Sequence, residues 1–275
     1  MNYKRVLTIQ DISCLGQCSM TVALPILSAC GHETCILPTA MLSTHTGGFG
    51  KPAVIHLADS LDAFRKHWQQ NGITFDAILV GYLGSVQAIE LAGRIMDQML
   101  SPNGIAIVDP AMADHGKLYS GFDGDYALAM TDLCRKAHIV IPNITEAAIL
   151  CGKPYQAELS REYVEELLDG LEYDNVILTG VGYAAGETGV AIRAGKQRYH
   201  YAHHRTEQSH HGTGDIFAAA FTGALLQDKP MYDAIKIAAE FTRRSIENTE
   251  KAPAHWYGVK FETALPDLMA MLRKE

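Results

Sequence analysis

Residues 77–110 read AILVGYLGSVQAIELAGRIMDQMLSPNGIAIVDP. The apolar run 77–80 has the length of a buried strand, and 86–100 is long enough for a helix. Residues 105–108 form a second apolar run that stops at Asp109-Pro110. Strand, helix, strand is the unit that builds a parallel sheet, because the crossover helix returns the chain for another strand in the same direction.

The alternation continues on both sides. Upstream, 4–10 and 33–39 read as strands, and 20–30 and 57–71 as helices followed by Gly31 and Gly72. Downstream, 139–141 and 176–179 read as strands, and 126–136, 145–151 and 161–171 as helices. Runs 189–193 and 198–202, split by Ala194-Gly195-Lys196, predict a hairpin. The C-terminal third predicts helices over 215–227, 231–248 and about 263–273. The expected fold class is α/β, three layers, with a mostly parallel central sheet and helices on both faces. Ligands of such sheets bind beyond the carboxyl ends of the strands. Asp11, Gly81-Tyr82, Asp109, Asn143 and Thr179-Gly180 all follow predicted strands and are expected on that one rim.

Composition narrows the function. The 275 residues, 48% hydrophobic and 20% charged, suit a single domain over 1–275. A formal net charge of -8 argues against nucleic acid as a partner, since phosphate backbones need clustered Lys and Arg. Between Ile12 and Gly50 the only formal charge is Glu33, but Gly16, Gln17, Ser19, Pro25 and Ser28 break residues 12–32 as a membrane span. No secretory leader pattern precedes the six scattered cysteines, which are expected to be reduced, buried and cytoplasmic. His200, His203, His204, His210 and His211 lack a Cys or carboxylate at metal spacing and read as a solvated edge near a nucleotide.

The strongest local signal is His211-Gly212-Thr213-Gly214-Asp215 ahead of the run IFAAAFTGALL. Two glycines let the backbone approach a ligand, and a helix start offers N–H groups and a dipole that favour an anion. Asp215 at this point suits a helix cap or a base, and the motif alone does not choose between them. There is no G-x-x-x-x-G-K-[ST] and no G-x-G-x-x-G after the first strand, so neither a P-loop nor a dinucleotide fingerprint is present.

Gly212-Thr213-Gly214-Asp215 resembles the anion-hole signature of ribokinase-like kinases. Four further segments narrow the likeness to the pyridoxal/pyridoxine/pyridoxamine kinase branch: Ser43-Thr44-His45-Thr46-Gly47, Gly81-Tyr82-Leu83-Gly84-Ser85, Asp109-Pro110-Ala111-Met112 and Pro142-Asn143-Ile144-Thr145-Glu146. The resemblance implies ATP-dependent phosphorylation of the 5′-hydroxymethyl group of a B6 vitamer. It implies Asp215 as general base and Gly212, Thr213 and Gly214 as donors to the transferred phosphoryl group. Asp11, Thr46, Gly47 and Tyr82 would line the vitamer site, with Asp215 at its mouth. Asp109, Asn143, Glu146, Thr179 and Gly180 would serve ATP, with Asp109 and Glu146 orienting Mg2+. A monovalent cation such as K+ and a homodimer, with the edge near the second and third strands covered, are further implications. The glycine-rich residues 46–50 suit a lid. Asn143, Thr145 and Glu146 equally suit a capped helix start, and Asp109-Pro110 a strand-ending turn.

At Asp11 the branch usually carries Ser. A carboxylate there predicts that pyridoxamine or pyridoxine is handled at least as well as pyridoxal. Three alternatives stand beside this reading: a hydroxymethylpyrimidine kinase, a sugar kinase, and a non-catalytic B6 or nucleotide binder.

Overall fold

The computed structural model describes residues 3–206, 210–251 and 254–273. In chain order the elements are β1 (Arg5–Ser13), α1 (Met20–Ala29), β2 (Glu33–Leu42), β3 (Val54–His56), α2 (Ala58–Gln70), β4 (Phe75–Val80), α3 (Val86–Met99) and β5 (Leu100–Val108). There follow β6 (Ala113–Asp114), β7 (Lys117–Leu118), α4 (Gly124–Cys134), β8 (Ile139–Val140), α5 (Ile144–Leu150), α6 (Arg161–Gly170) and β9 (Asn175–Thr179). The chain closes with β10 (Glu187–Ala194), β11 (Gln197–His204), α7 (Thr213–Leu226), α8 (Met231–Glu250), a 3-10 turn (Phe261–Ala264) and α9 (Leu265–Arg273).

Nine strands form one sheet in the order β11-β10-β9-β8-β5-β4-β1-β2-β3. The six from β9 to β2 are mutually parallel; β10, β11 and β3 add antiparallel edges. The sheet divides two cores, and the pleat decides which residue enters which. Leu7 and Ile9 of β1, and Ile78 and Val80 of β4, pack on the side of α2 to α6. Val6, Ala77 and Leu79 point the other way, against α1, α7 and α8. Helix α7 is buried on nearly every side, from Ile216 to Ala224, because α1 and α8 flank it. The expected three layers are therefore observed.

Three differences have local causes. The sequence ends the first strand at Gln10 and places Asp11 after it, whereas β1 continues to Ser13 through a register shift between Gln10 and Ile12. A bulge of this kind re-aims a side chain without ending the strand. β5 begins at Leu100, inside the stretch read as helix, because Leu100 pairs with Phe75. β3 and the β6–β7 hairpin were not predicted: they are two or three residues long, and Val54–His56 is exposed throughout, so no burial pattern marks them. Hairpin β10–β11 is as expected, with Gly195 at φ 56° in its turn.

Candidate active site

Because six strands run in one direction, their carboxyl ends share one rim. Asp11 lies at the end of β1, Tyr82 and Asp109 just beyond β4 and β5, Asn143 beyond β8, and Thr179-Gly180 at the end of β9. The chain leaves β1 for β2 on one side and later returns to β4 on the other. That makes β1/β4 the switch point where such sheets open a crevice.

Gly212 is the residue before α7, at φ 83°, and no side chain caps this helix. Asp215 is thus the third helical residue and does not act as its cap. A side-chain carbon at Gly212 would stand 2.0 Å from the Gln17 carbonyl oxygen, so geometry and φ both require glycine. One added at Gly214 would lie 3.7 Å from Asp109 Oδ2, which places the β5 carboxylate directly against the first turn of α7.

Burial pushes the Asp215 carboxyl up to about 7; the nearby Asp11 carboxylate adds to this and the Ser19 backbone N–H opposes it. Asp11, 2% exposed, accepts from the Ser13 hydroxyl at 3.0 Å, and burial raises its pKa despite that bond. The Asp11 N–H donates to the Tyr82 carbonyl at 3.2 Å. Burial, then the Asp11 charge, raises the Tyr82 hydroxyl to about 12. Asp11 therefore stands within electrostatic reach of both Tyr82 and Asp215.

Asp109, 9% exposed, is raised well above the usual carboxylate range by burial and by the charges of Glu146 and Asp215. Glu146 is held differently. Its Oε1 accepts the Met112 and Ala113 N–H groups at 3.0 and 3.4 Å, and its Oε2 accepts the Asn143 N–H at 2.9 Å. Asn143 Oδ1 in turn accepts the Glu146 N–H at 2.9 Å, completing a capping box on α5. Thr179 forms a parallel bridge to Asn143, and its hydroxyl donates to Pro142 O at 3.3 Å. Gly180, at φ 79°, turns the chain away next to it.

Thr46 is exposed and Gly47 half-buried in the loop after β2. A side-chain carbon at Gly47 would collide with the His211 ring, 2.4 Å away. His211 therefore backs this loop, whereas the sequence had placed it on the nucleotide side. Among the described residues no group of three His, Cys, Asp or Glu is arranged to hold a metal, and the histidines of β11 form no such centre. No cysteine there is paired; Cys30 and Cys134 are buried as expected, but Cys14 is exposed and Cys18, Cys35 and Cys151 lie between. No helix among those residues is long and apolar enough to cross a membrane.

The profile of the phosphomethylpyrimidine kinase family matches residues 36–259, which include this whole rim except Asp11. The chain belongs to that family. Among solved structures it is similar to pyridoxal kinase from Lactobacillus plantarum, at 33% identity over 98% of this chain and 97% of that one, with a TM-score of 0.89. A Bacteroides thetaiotaomicron protein named for phosphomethylpyrimidine kinase activity, in a crystal form with pyridoxal, is 30% identical over 96% and 95%, with a TM-score of 0.87. A curated pyridoxine/pyridoxal/pyridoxamine kinase of Bordetella bronchiseptica is 27% identical over 257 residues, 90% of each chain. The chain is thus a kinase of the ribokinase-like superfamily.

Two parts of the kinase site were missed by sequence reading. In segment 113–123 the Tyr119 N–H donates to the Met112 carbonyl at 2.9 Å, just beyond β5. There Phe122 stacks between Tyr82, at 5.4 Å between ring centroids, and Tyr126, at 3.7 Å. Tyr119 is pushed up by burial and then by Glu146 and Asp109 beside it. The second is Ser19, 5% exposed at φ 54°, facing both Asp11 and Asp215. Its only sequence signal was its place in the charge-poor stretch 12–50.

Proposed function

We propose that the protein transfers the γ-phosphoryl group of ATP to the 5′-hydroxymethyl oxygen of a B6 vitamer, with Asp215 as the general base. The observation that carries this is the convergence of Asp215, Asp109 and the glycines of α7's first turn at the β1/β4 switch point. Asp215, lifted to about 7, is poised to take a proton near neutrality. The N–H groups of Gly212, Thr213 and Gly214 lie at an uncapped helix start, where charge developing on the phosphoryl group is favoured. The vitamer ring lies among Asp11, Tyr82 and the 46–47 loop, with Phe122 bracing Tyr82 from behind.

The carboxylates fit a hard cation unequally. Among the described residues Asp109 accepts the Ala111 N–H, which leaves lone pairs for Mg2+ or its waters. Both Glu146 oxygens are engaged by backbone N–H groups, so Glu146 supports the site through Met112, Ala113 and Asn143. When bound, Mg2+ would neutralise charge on the phosphates. Asn143, Thr179 and Gly180 form the nucleotide side. Exposed Met41 and Ile55 face each other across the β2–β3 edge beside exposed Val54, and we assign this apolar edge to a homodimer.

The pyrimidine reading keeps every one of these roles and changes only the ring; the family name supports it. Asp215→Asn separates a kinase from a binder. In the kinase kcat falls by ~10²–10⁴ while vitamer Kd is nearly unchanged. A variant that turns over like the parent would remove Asp215 from the role of base.

A further inference from the structure

The segment after α8 has no part in the site described above, yet it touches both of its halves. His45 is 4% exposed and carries two directed bonds. Its Nδ1 accepts the Gly47 N–H at 3.0 Å, so its Nε2 is the protonated nitrogen and donates to the Tyr257 carbonyl at 2.8 Å. Phe49 packs its ring on His45 at 5.1 Å, on Trp256 at 4.6 Å and on Tyr257 at 6.0 Å. A side-chain carbon at Gly48 would stand 2.5 Å from the Trp256 ring. Trp256 and Tyr257 therefore pin the loop that carries Thr46 and Gly47.

The same segment holds the other half through Gln17. Gln17 Oε1 accepts from His255 Nε2 at 2.7 Å, and Gln17 Nε2 donates to both Glu262 oxygens at 2.7 and 2.9 Å. Gly258 presses on the Gln17 backbone: a side-chain carbon there would lie 3.0 Å from its nitrogen. On its far side the Gln17 carbonyl is the atom that forbids a side chain at Gly212. A single amide, anchored at both ends, thus sets the backbone on which the phosphate loop rests.

We propose that residues 255–262 are a strap that holds the vitamer loop and the phosphate loop in one register, and that Gln17 is the positioning residue through which it acts. The proposal rests on the kinase site as assigned above. Rigid placement matters because small displacements of reacting groups lower the rate steeply without abolishing binding. Gln17 touches no reacting atom; it acts through Gly212 and, with His45 and Tyr257, through Gly47.

The test is a charge-exchange cycle. Gln17→Glu sets a carboxylate against Glu262, so kcat should fall about tenfold. Hydrogen exchange of segments 43–50 and 210–214 should quicken, while Tm moves by no more than about 2 °C. The double variant Q17E/E262Q restores a donor at 262 and an acceptor for His255 at 17. It should return kcat to within about twofold of the parent and restore exchange protection. Unchanged exchange and kinetics in Q17E would overturn the strap, as would a double variant no better than Q17E. If the parent phosphorylates no B6 vitamer, the substrate assignment fails on that ground alone. The exchange measurements then still decide whether the strap couples the two loops.

Discussion

Asp215 carries two demands that pull against each other. Its carboxyl is desolvated enough to rise to about 7, and that burial disfavours the ionised form a base needs. A carboxyl raised in the folded state stabilises the protein below its unfolded pKa, and this contribution is lost as pH rises through about 7. Asp215→Asn should therefore raise Tm at pH 8, at roughly 2–4 °C per kcal/mol recovered, and raise it less at pH 5. Thermal melts at the two pH values check this. The rate has the opposite sign: kcat/KM for the vitamer should climb with pH through about 7 and then level. Because the Asp11 charge helps raise Asp215, Asp11→Ser should move that acid limb to lower pH. The same variant should shift preference from pyridoxamine and pyridoxine towards pyridoxal. Identical pH profiles and identical vitamer ratios would detach Asp11 from both roles.

At the scale of elements, the turn before α7 combines a left-handed φ with a backbone carbonyl against it. Gly212→Ala meets a backbone carbonyl and a left-handed φ together, so kcat should drop by more than about 100-fold. Gly50, also left-handed at φ 78° but with open space around it, supplies the control: Gly50→Ala should cost about 1–2 kcal/mol of stability and leave kcat within about threefold. Steady-state kinetics on the pair checks this. The Asn143–Glu146 box is a milder case; Asn143→Ala should cost about 1 kcal/mol in urea unfolding. These two helix starts also show what the sequence could and could not tell. Both were legible as motifs, G-T-G-D and N-I-T-E. Whether each was a cap or a ligand site was not, because the answer lay in partners far along the chain. Gln17 decides Gly212, and Met112 and Ala113 occupy Glu146.

For the whole molecule, the alternation of short apolar runs with helical stretches made a mostly parallel sheet and its single rim legible in the sequence. What stayed hidden was short or long-range: β3 and the β6–β7 hairpin are too brief for a pattern, and the continuation of β1 to Ser13 depends on pairing with β2. The stretch 12–50, with Glu33 as its one formal charge, stands out in the sequence. In the fold it supplies Asp11's neighbours Ser13 and Ser19 and, through Met41 of β2, half of an apolar edge that Val54 and Ile55 of β3 complete. If that edge joins two copies, Ile55→Asp should convert dimer to monomer by light scattering, with little loss of Tm since Ile55 is 62% exposed. A parent that is monomeric at all concentrations would refute the assignment. ADP release from Mg-ATP against pyridoxal, pyridoxine, pyridoxamine and hydroxymethylpyrimidine decides whether the protein is a B6 kinase. Turnover on the B6 vitamers is expected, with pyridoxamine or pyridoxine at least equal to pyridoxal. Turnover on the pyrimidine alone, or on none of the four by folded protein that binds ATP, would contradict it.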